Sequence, residues 1–385
     1  MAFSLLLQVL CLLGALAAAP ALAETSACNQ AAPQAITGVD VPGHPFVAVS
    51  SADGCTVFVS LTGARGRSQL AVLKRLNGSM NVAHTMDVPG QLTGLALTRD
   101  GSLLVGANGQ GAVLFSVDRL VAGADNALLG VLNEGVGAGS IYVVFSPDER
   151  LLFMSNERSN TLSVYDFAAA RTGHPIRLIG HIPTGIAPVG LAVSPDGRWL
   201  YSTSEVAPGP SLCPAEGRGG THAQGLLMVV DVQRSATDPV NAVAARAQAG
   251  CNPVRVVTSP QGERVYVSAR GSNLLQVFDS DKLLGDPAHA LIASAAVGQS
   301  PVGIAASGDH VFVANSDRFG SGRHASVSVL DVQRLDVPGP SIPAGGFPRE
   351  LRITSDGQSL LVTHFESQRV DWVDLARLAE AEAAH

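Results

Sequence analysis

The chain predicts an all-β fold, a seven-bladed β-propeller with four-stranded blades, and three observations carry that prediction. A tight-turn dipeptide recurs as Asp53-Gly54, Asp100-Gly101, Asp148-Glu149, Asp196-Gly197, Gln261-Gly262, Gly308-Asp309 and Asp356-Gly357. Successive first members lie 47, 48, 48, 65, 47 and 48 residues apart, and so steady a period marks a repeat architecture. Each turn joins two short β-type runs, as Pro195-Asp196-Gly197 joins Val189–Ser194 to Arg198–Thr203. Proline fixes φ, aspartate bonds its own backbone and glycine accepts positive φ, so the joint is a hairpin turn. Third, most copies add a run ending at an acid: Thr161–Asp166, Leu226–Asp231, Leu274–Asp279, Val327–Asp331 and Val370–Asp374. A more variable fourth run follows, such as Ile176–Ile182. Four short strands per period over seven periods describe a propeller.

The elements follow in order. Leu5–Ala19 is apolar and Ala21-Leu22-Ala23 is a small-x-small cleavage site before Glu24, so residues 1–23 are expected to be a signal peptide. Residues 24–385 are expected to form one propeller domain, with blades starting near residues 44, 91, 140, 188, 252, 301 and 348. Ala35–Val41 is a spare strand before the first copy, while the last copy offers only Leu351–Thr354, Ser359–Thr363 and Arg369–Val373. Adding the spare strand to those three closes the ring and removes the open edges. The step of 65 comes from an insertion, Glu205–Gln224, rich in Pro, Gly and Ser, which reads as a long loop without strands. Asn315–His324 is a second extended loop, and Asn77-Gly78-Ser79 reads as a hairpin turn despite matching a glycosylation sequon. After Asp374 the segment Leu375–Glu380 is helix-prone.

Composition narrows the function. A net charge of −7 gives no electrostatic footprint for nucleic acid. Beyond the leader no stretch is apolar for the length of a membrane span. Export with four cysteines left after the leader, Cys28, Cys55, Cys213 and Cys251, suggests two disulfides. In a propeller the loops from strand two to three, and those from strand four to the next blade, share the upper face. Cys213 and Cys251 fall there, whereas Cys55 and Cys28 fall at the lower face, so topology selects Cys28–Cys55 and Cys213–Cys251. No C-x-x-C, H-x-x-x-H, G-x-S-x-G or phosphate-cradling glycine loop occurs, so no metal or cofactor is implied.

The copies P-V-G-L-A-V-S-P-D-G-R-W-L-Y-S-T and P-V-R-V-V-T-S-P-Q-G-E-R-V-Y-V-S resemble YVTN-type propeller repeats, common in exported bacterial proteins. Met154–Tyr165 and Val267–Asn273 are similar to segments of the lactonase-type seven-bladed propellers, which include 6-phosphogluconolactonases and a muconate-lactonising enzyme. That resemblance implies Glu157 and Arg270 as the catalytic pair, a proton-transferring acid and a guanidinium that holds a lactone or carboxylate. The chain departs from the family at Ser140-Ile141-Tyr142, where Pro-Arg-His is expected, and at Gly90-Gln91-Leu92-Thr93, where a histidine is missing. Arg158, Asn315, Arg318 and His364 are the further ligand-binding candidates. The expected function is a monomeric exported scaffold that binds a small anionic or lactone ligand, or a protein partner, at the upper face. An active lactonase is the alternative.

Overall fold

A computed structural model describes Cys28 and residues 34–63, 67–172, 174–214, 220–320 and 322–383. The expected leader and its cleavage site lie outside the described residues. Seven four-stranded antiparallel sheets form the ring. The innermost strands are His44–Ser50, Leu95–Leu97, Ser140–Phe145, Ile186–Val193, Pro253–Thr258, Pro301–Ser307 and Pro348–Ile353. In six blades the four strands are consecutive in sequence apart from the insertion, whereas blade 7 takes its outer strand, Ile36–Asp40, from the N-terminal side. That strand pairs antiparallel with Arg369–Asp374, Ile36 opposite Val373 and Asp40 opposite Arg369. Among the described residues no helix is long and apolar enough to cross a membrane.

The hairpin chemistry read from the sequence takes a defined form. Ser51, Thr98, Ser146, Ser194 and Thr354 donate their hydroxyls to the aspartate two residues on, at 2.5–2.7 Å. The same aspartates accept the amide of the residue two further on. These carboxylates are therefore occupied as turn formers. Blade 3 alone among the seven turns sets an acid, Glu149, at φ 54°. Its side chain accepts the Arg99 amide of the neighbouring blade, which holds the strained turn in place. Asn77 and Gly78, at φ 52° and 72°, form the hairpin turn expected of them. Three of the acids that end the third runs are explained as well. Asp231 and Asp279 accept the amides of Arg234 and Lys282 and cap short helices, and Asp374 does so for the helix Leu375–Ala383.

A second device joins the blades to one another. The residue near the top of each second strand is Ser60, Ala107, Ser155, Thr203, Ser268, Ala314 or Thr363. Wherever it carries a hydroxyl, that hydroxyl donates to a carbonyl of the next blade's inner strand. The acceptors are Thr93, Val189, Val254, Val302 and, across the closure, Phe46, at 2.6–3.2 Å. In four of these blades it also accepts an amide of its own inner strand, from Val47, Gly190, Arg255 or Glu350. Thr203→Val keeps the shape but strands two buried backbone groups, so a loss of about 1–3 kcal/mol is expected. A denaturant midpoint unchanged from wild type would contradict this account.

The insertion differs from expectation. It contains a two-stranded hairpin, Ser211–Pro214 paired with Thr221–Ala223. Its proline and glycine content hides the strands. The Cys213–Cys251 disulfide pins the hairpin to the blade 4–5 connection, and Cys28–Cys55 ties the chain ahead of the closing strand to blade 1.

Candidate functional site

Because every inner strand keeps the same register, equivalent residues form tiers around the channel. The upper tier is Phe46, Thr93, Ile141, Val189, Val254, Val302 and Arg349, six uncharged side chains and one guanidinium. Val189, Val254 and Val302 pack in one cluster with Phe347, joined by Ile141 and Phe365. Arg349 lies 3.7 Å from the Phe46 ring centroid and 5.4 Å from those of Phe347 and Phe365. It has no carboxylate partner among the described residues, and its Nε is shielded and without a hydrogen bond. Burial, with Arg255 and Arg318 adding repulsion, lowers its pKa to about 9.

Glu157 and Arg270 both stand at this upper mouth, on the loops leaving the second strands of blades 3 and 5. Asn156, which precedes Glu157, is fully buried and bonded to Ser140 and Ser163, and the Glu157 amide donates to Gly139 O at 2.9 Å. Burial raises the Glu157 carboxyl, and the nearby Glu205 carboxylate adds to the effect against Arg158, Arg349 and Arg270. Arg270 is 9% exposed, and its Nη2 meets Glu205 Oε2 at 3.2 Å. Its loop is held by the blade 4–5 connection: the Arg270 amide donates to Asn252 O and that of Gly271 to Cys251 O. His222 of the hairpin shares a 3.0 Å hydrogen bond with the Asn252 side chain. The insertion thus buttresses Arg270, supplying Glu205 from one end and the disulfide from the other.

A cavity of about 360 Å³ opens beside Glu157 between blades 2 and 3, lined among others by Gln91, Thr93, Asn108, Gln110, Ile141 and Arg158. Arg158 is exposed at its rim. Arg318 is exposed too, its guanidinium 5.4 Å from Phe319 and 5.6 Å from Phe347. Asn315 and His364 are instead buried within their blades. The Asn315 amide donates to Ser326 and Ser328, and His364 Nε2 meets Asp371 Oδ2 at 2.8 Å.

Sequence reasoning missed the tier directly below. It runs Val47, Gly94, Tyr142, Gly190, Arg255, Gly303 and Glu350. Tyr142 OH donates to Glu350 Oε1 and Arg255 Nε to Glu350 Oε2, each at 2.7 Å. Arg352 reaches the Tyr142 oxygen from below. All three tier residues are about 3% exposed, so this trio plugs the channel. Burial opposes the Glu350 charge, but Arg255 and Arg352, with the Tyr142 hydrogen bond, hold its carboxyl below the usual range. The glycines admit the plug. A Cβ on Gly94, Gly190 or Gly303 would stand 2.7–3.0 Å from the Cα of Tyr142, Arg255 or Glu350. The available signal was charge inside otherwise apolar strands, at Pro253-Val254-Arg255 and Pro348-Arg349-Glu350-Leu351-Arg352.

No protein-family model and no curated protein matches the chain. Among solved structures it is similar to the hydrazine synthase of Kuenenia stuttgartiensis, at 17% identity and a TM-score of 0.65. That match covers 88% of this chain and 97% of the other. It is also similar to a chain in the crystal structure of a mitotic checkpoint complex, at 14% identity and a TM-score of 0.66, covering 88% and 93%. Likeness at such identities shows the propeller fold alone.

Proposed function

We propose that the chain is an exported binding propeller whose upper channel mouth holds a small organic anion or lactone. The two disulfides support an oxidising compartment. The observation that carries the binding site is the convergence of Glu157, Glu205, Arg270 and Arg349, from blades 3, 4, 5 and 7, at the otherwise uncharged upper tier. Glu205 is engaged by Arg270, which leaves Arg349 as the cation to meet an acidic group. The aromatic and aliphatic side chains around it suit a carbon skeleton, and a guanidinium fork suits a carboxylate.

Calorimetric titration with a panel of small carboxylates and lactones tests this. Arg349→Ala should weaken the ligand found about tenfold or more, the cost of a charge-assisted hydrogen bond. The pH dependence has a definite sign. Ionised Glu157 repels an anion, so affinity rises as pH falls through its raised pKa, and Glu157→Gln removes that slope. If both variants bind as wild type does, the site lies elsewhere.

One observation favours a second reading, a lactone hydrolase. The carboxyl of Glu157, raised by burial, suits the role of a proton donor. Ile141 occupies the upper tier where the lactonase-type enzymes carry arginine, and it cannot stabilise charge. Weak or absent turnover is therefore expected, and robust lactone hydrolysis abolished by Glu157→Gln would move the chain into the enzyme class.

A further inference from the structure

Below the plug lies a chamber of about 300 Å³ that shares no lining residue with the cavity at the mouth. Arg255, Glu350, Arg352 and Tyr142 line it, and aliphatic side chains such as Val144, Leu191, Val257 and Ile304 form the rest of its wall. Two features of this chamber ask for a ligand. The first is an unspent donor edge. Arg255 is 3% exposed and gives its Nε to Glu350, yet its Nη1 and Nη2 are both shielded and without a hydrogen-bond partner. The Tyr142 ring, 4.7 Å from the Arg255 Cζ, covers the guanidinium face and leaves that edge unmet. The Nε of Arg352 makes no hydrogen bond either, lying 3.6 Å from Glu350 Oε1. Buried donors left unmade are costly, and charged ones more so. The second feature is charge: two guanidiniums share one carboxylate, a surplus of one positive charge at the chamber.

We infer that this lower chamber is a binding site for a short aliphatic monocarboxylate, its carboxylate at the Arg255–Arg352 guanidinium pair and its alkyl tail against the aliphatic wall. A planar carboxylate is the organic anion that a guanidinium pairs with best. One negative charge balances the surplus. A chain of three or four carbons fits a wall of valine, leucine and isoleucine. The site opens on the lower face, where the Arg352 side chain is 35% exposed, so it fills independently of Glu157 and Arg270.

Butyrate is the probe, titrated calorimetrically into the full protein beside n-butanol and n-butylammonium, which carry the tail without the anion, and chloride, which carries charge without the tail. Saturable binding of butyrate alone is expected. Arg255→Ala would orphan Glu350 and endanger the fold, so two gentler variants are used. Arg255→Lys keeps the charge but loses the fork, and Ala192→Leu narrows the chamber with every charge in place. Each should weaken butyrate at least tenfold. Equal responses to butyrate and chloride, no saturable butyrate binding, or full affinity in both variants would overturn the assignment.

Discussion

Replacing Glu350 by alanine is expected to destabilise the protein by about 3–5 kcal/mol, the usual cost of orphaning a buried charge. The carboxylate is the common acceptor of Tyr142 and Arg255, and both donors would be left in the channel without it. Removing the charges together should hurt less. The double variant Arg255→Met/Glu350→Leu is expected to be more stable than Glu350→Ala alone, because no uncompensated ion remains. The sign with pH is fixed. The folded carboxyl lies below its unfolded value, so its stabilisation is complete above the ordinary carboxylate range. It is lost as pH falls through the lowered folded pKa, and the gap between wild type and Glu350→Ala should narrow in acid. Urea melts across that range measure this. A single variant no less stable than the double would refute the plug.

Deleting residues 24–41 should have the other large effect. It removes the strand Ile36–Asp40, bares the edge of Arg369–Asp374 and cuts the Cys28–Cys55 tie. The disulfide alone contributes about 2–4 kcal/mol, so Cys28→Ser/Cys55→Ser should fall between wild type and the deletion. The closing strand is fitted to its place. Gly38 lies against the Asp371 and Arg369 side chains, which a side chain there would displace, and Arg369 bridges Asp371 and Asp40. Arg75 of blade 1 stacks 4.2 Å from the Trp372 ring across the seam. An open edge also invites strand-to-strand aggregation, so the deletion should lose reversibility as well as melting temperature. An unchanged melt would remove the strand from any role in closure.

The fold is legible in the sequence because its signals are local and repeated. A hairpin turn needs Asp-Gly chemistry within a few residues, and seven copies of it leave a period. The spare strand is legible too, since the last copy ends in a helix where a fourth strand should stand. The candidate site is legible only where a motif covers it, at Glu157 and Arg270. Arg349, Arg255 and Glu350 belong to different blades, and Tyr142 meets Glu350 across 208 residues. No window along the chain contains such a partnership. The hydroxyl at the second strand's end sat in view within both repeats, Thr203 and Ser268. Its purpose depends on a carbonyl in the next blade.

The plug tier has a consequence rooted in parity. Bulky Tyr142, Arg255 and Glu350 alternate with Gly94, Gly190 and Gly303, but an odd ring cannot alternate all the way round. The leftover place falls at Val47, beside the seam, where a side chain of middle size stands between Glu350 and Gly94. The blades are therefore not interchangeable modules, although their strands are nearly so. A circular permutant that opens the ring at another loop preserves every neighbour. Exchanging blade 4 for a second copy of blade 5 would set two arginines side by side where the backbones nearly touch. The order of the blades is itself encoded, one residue per blade, on the axis of the molecule.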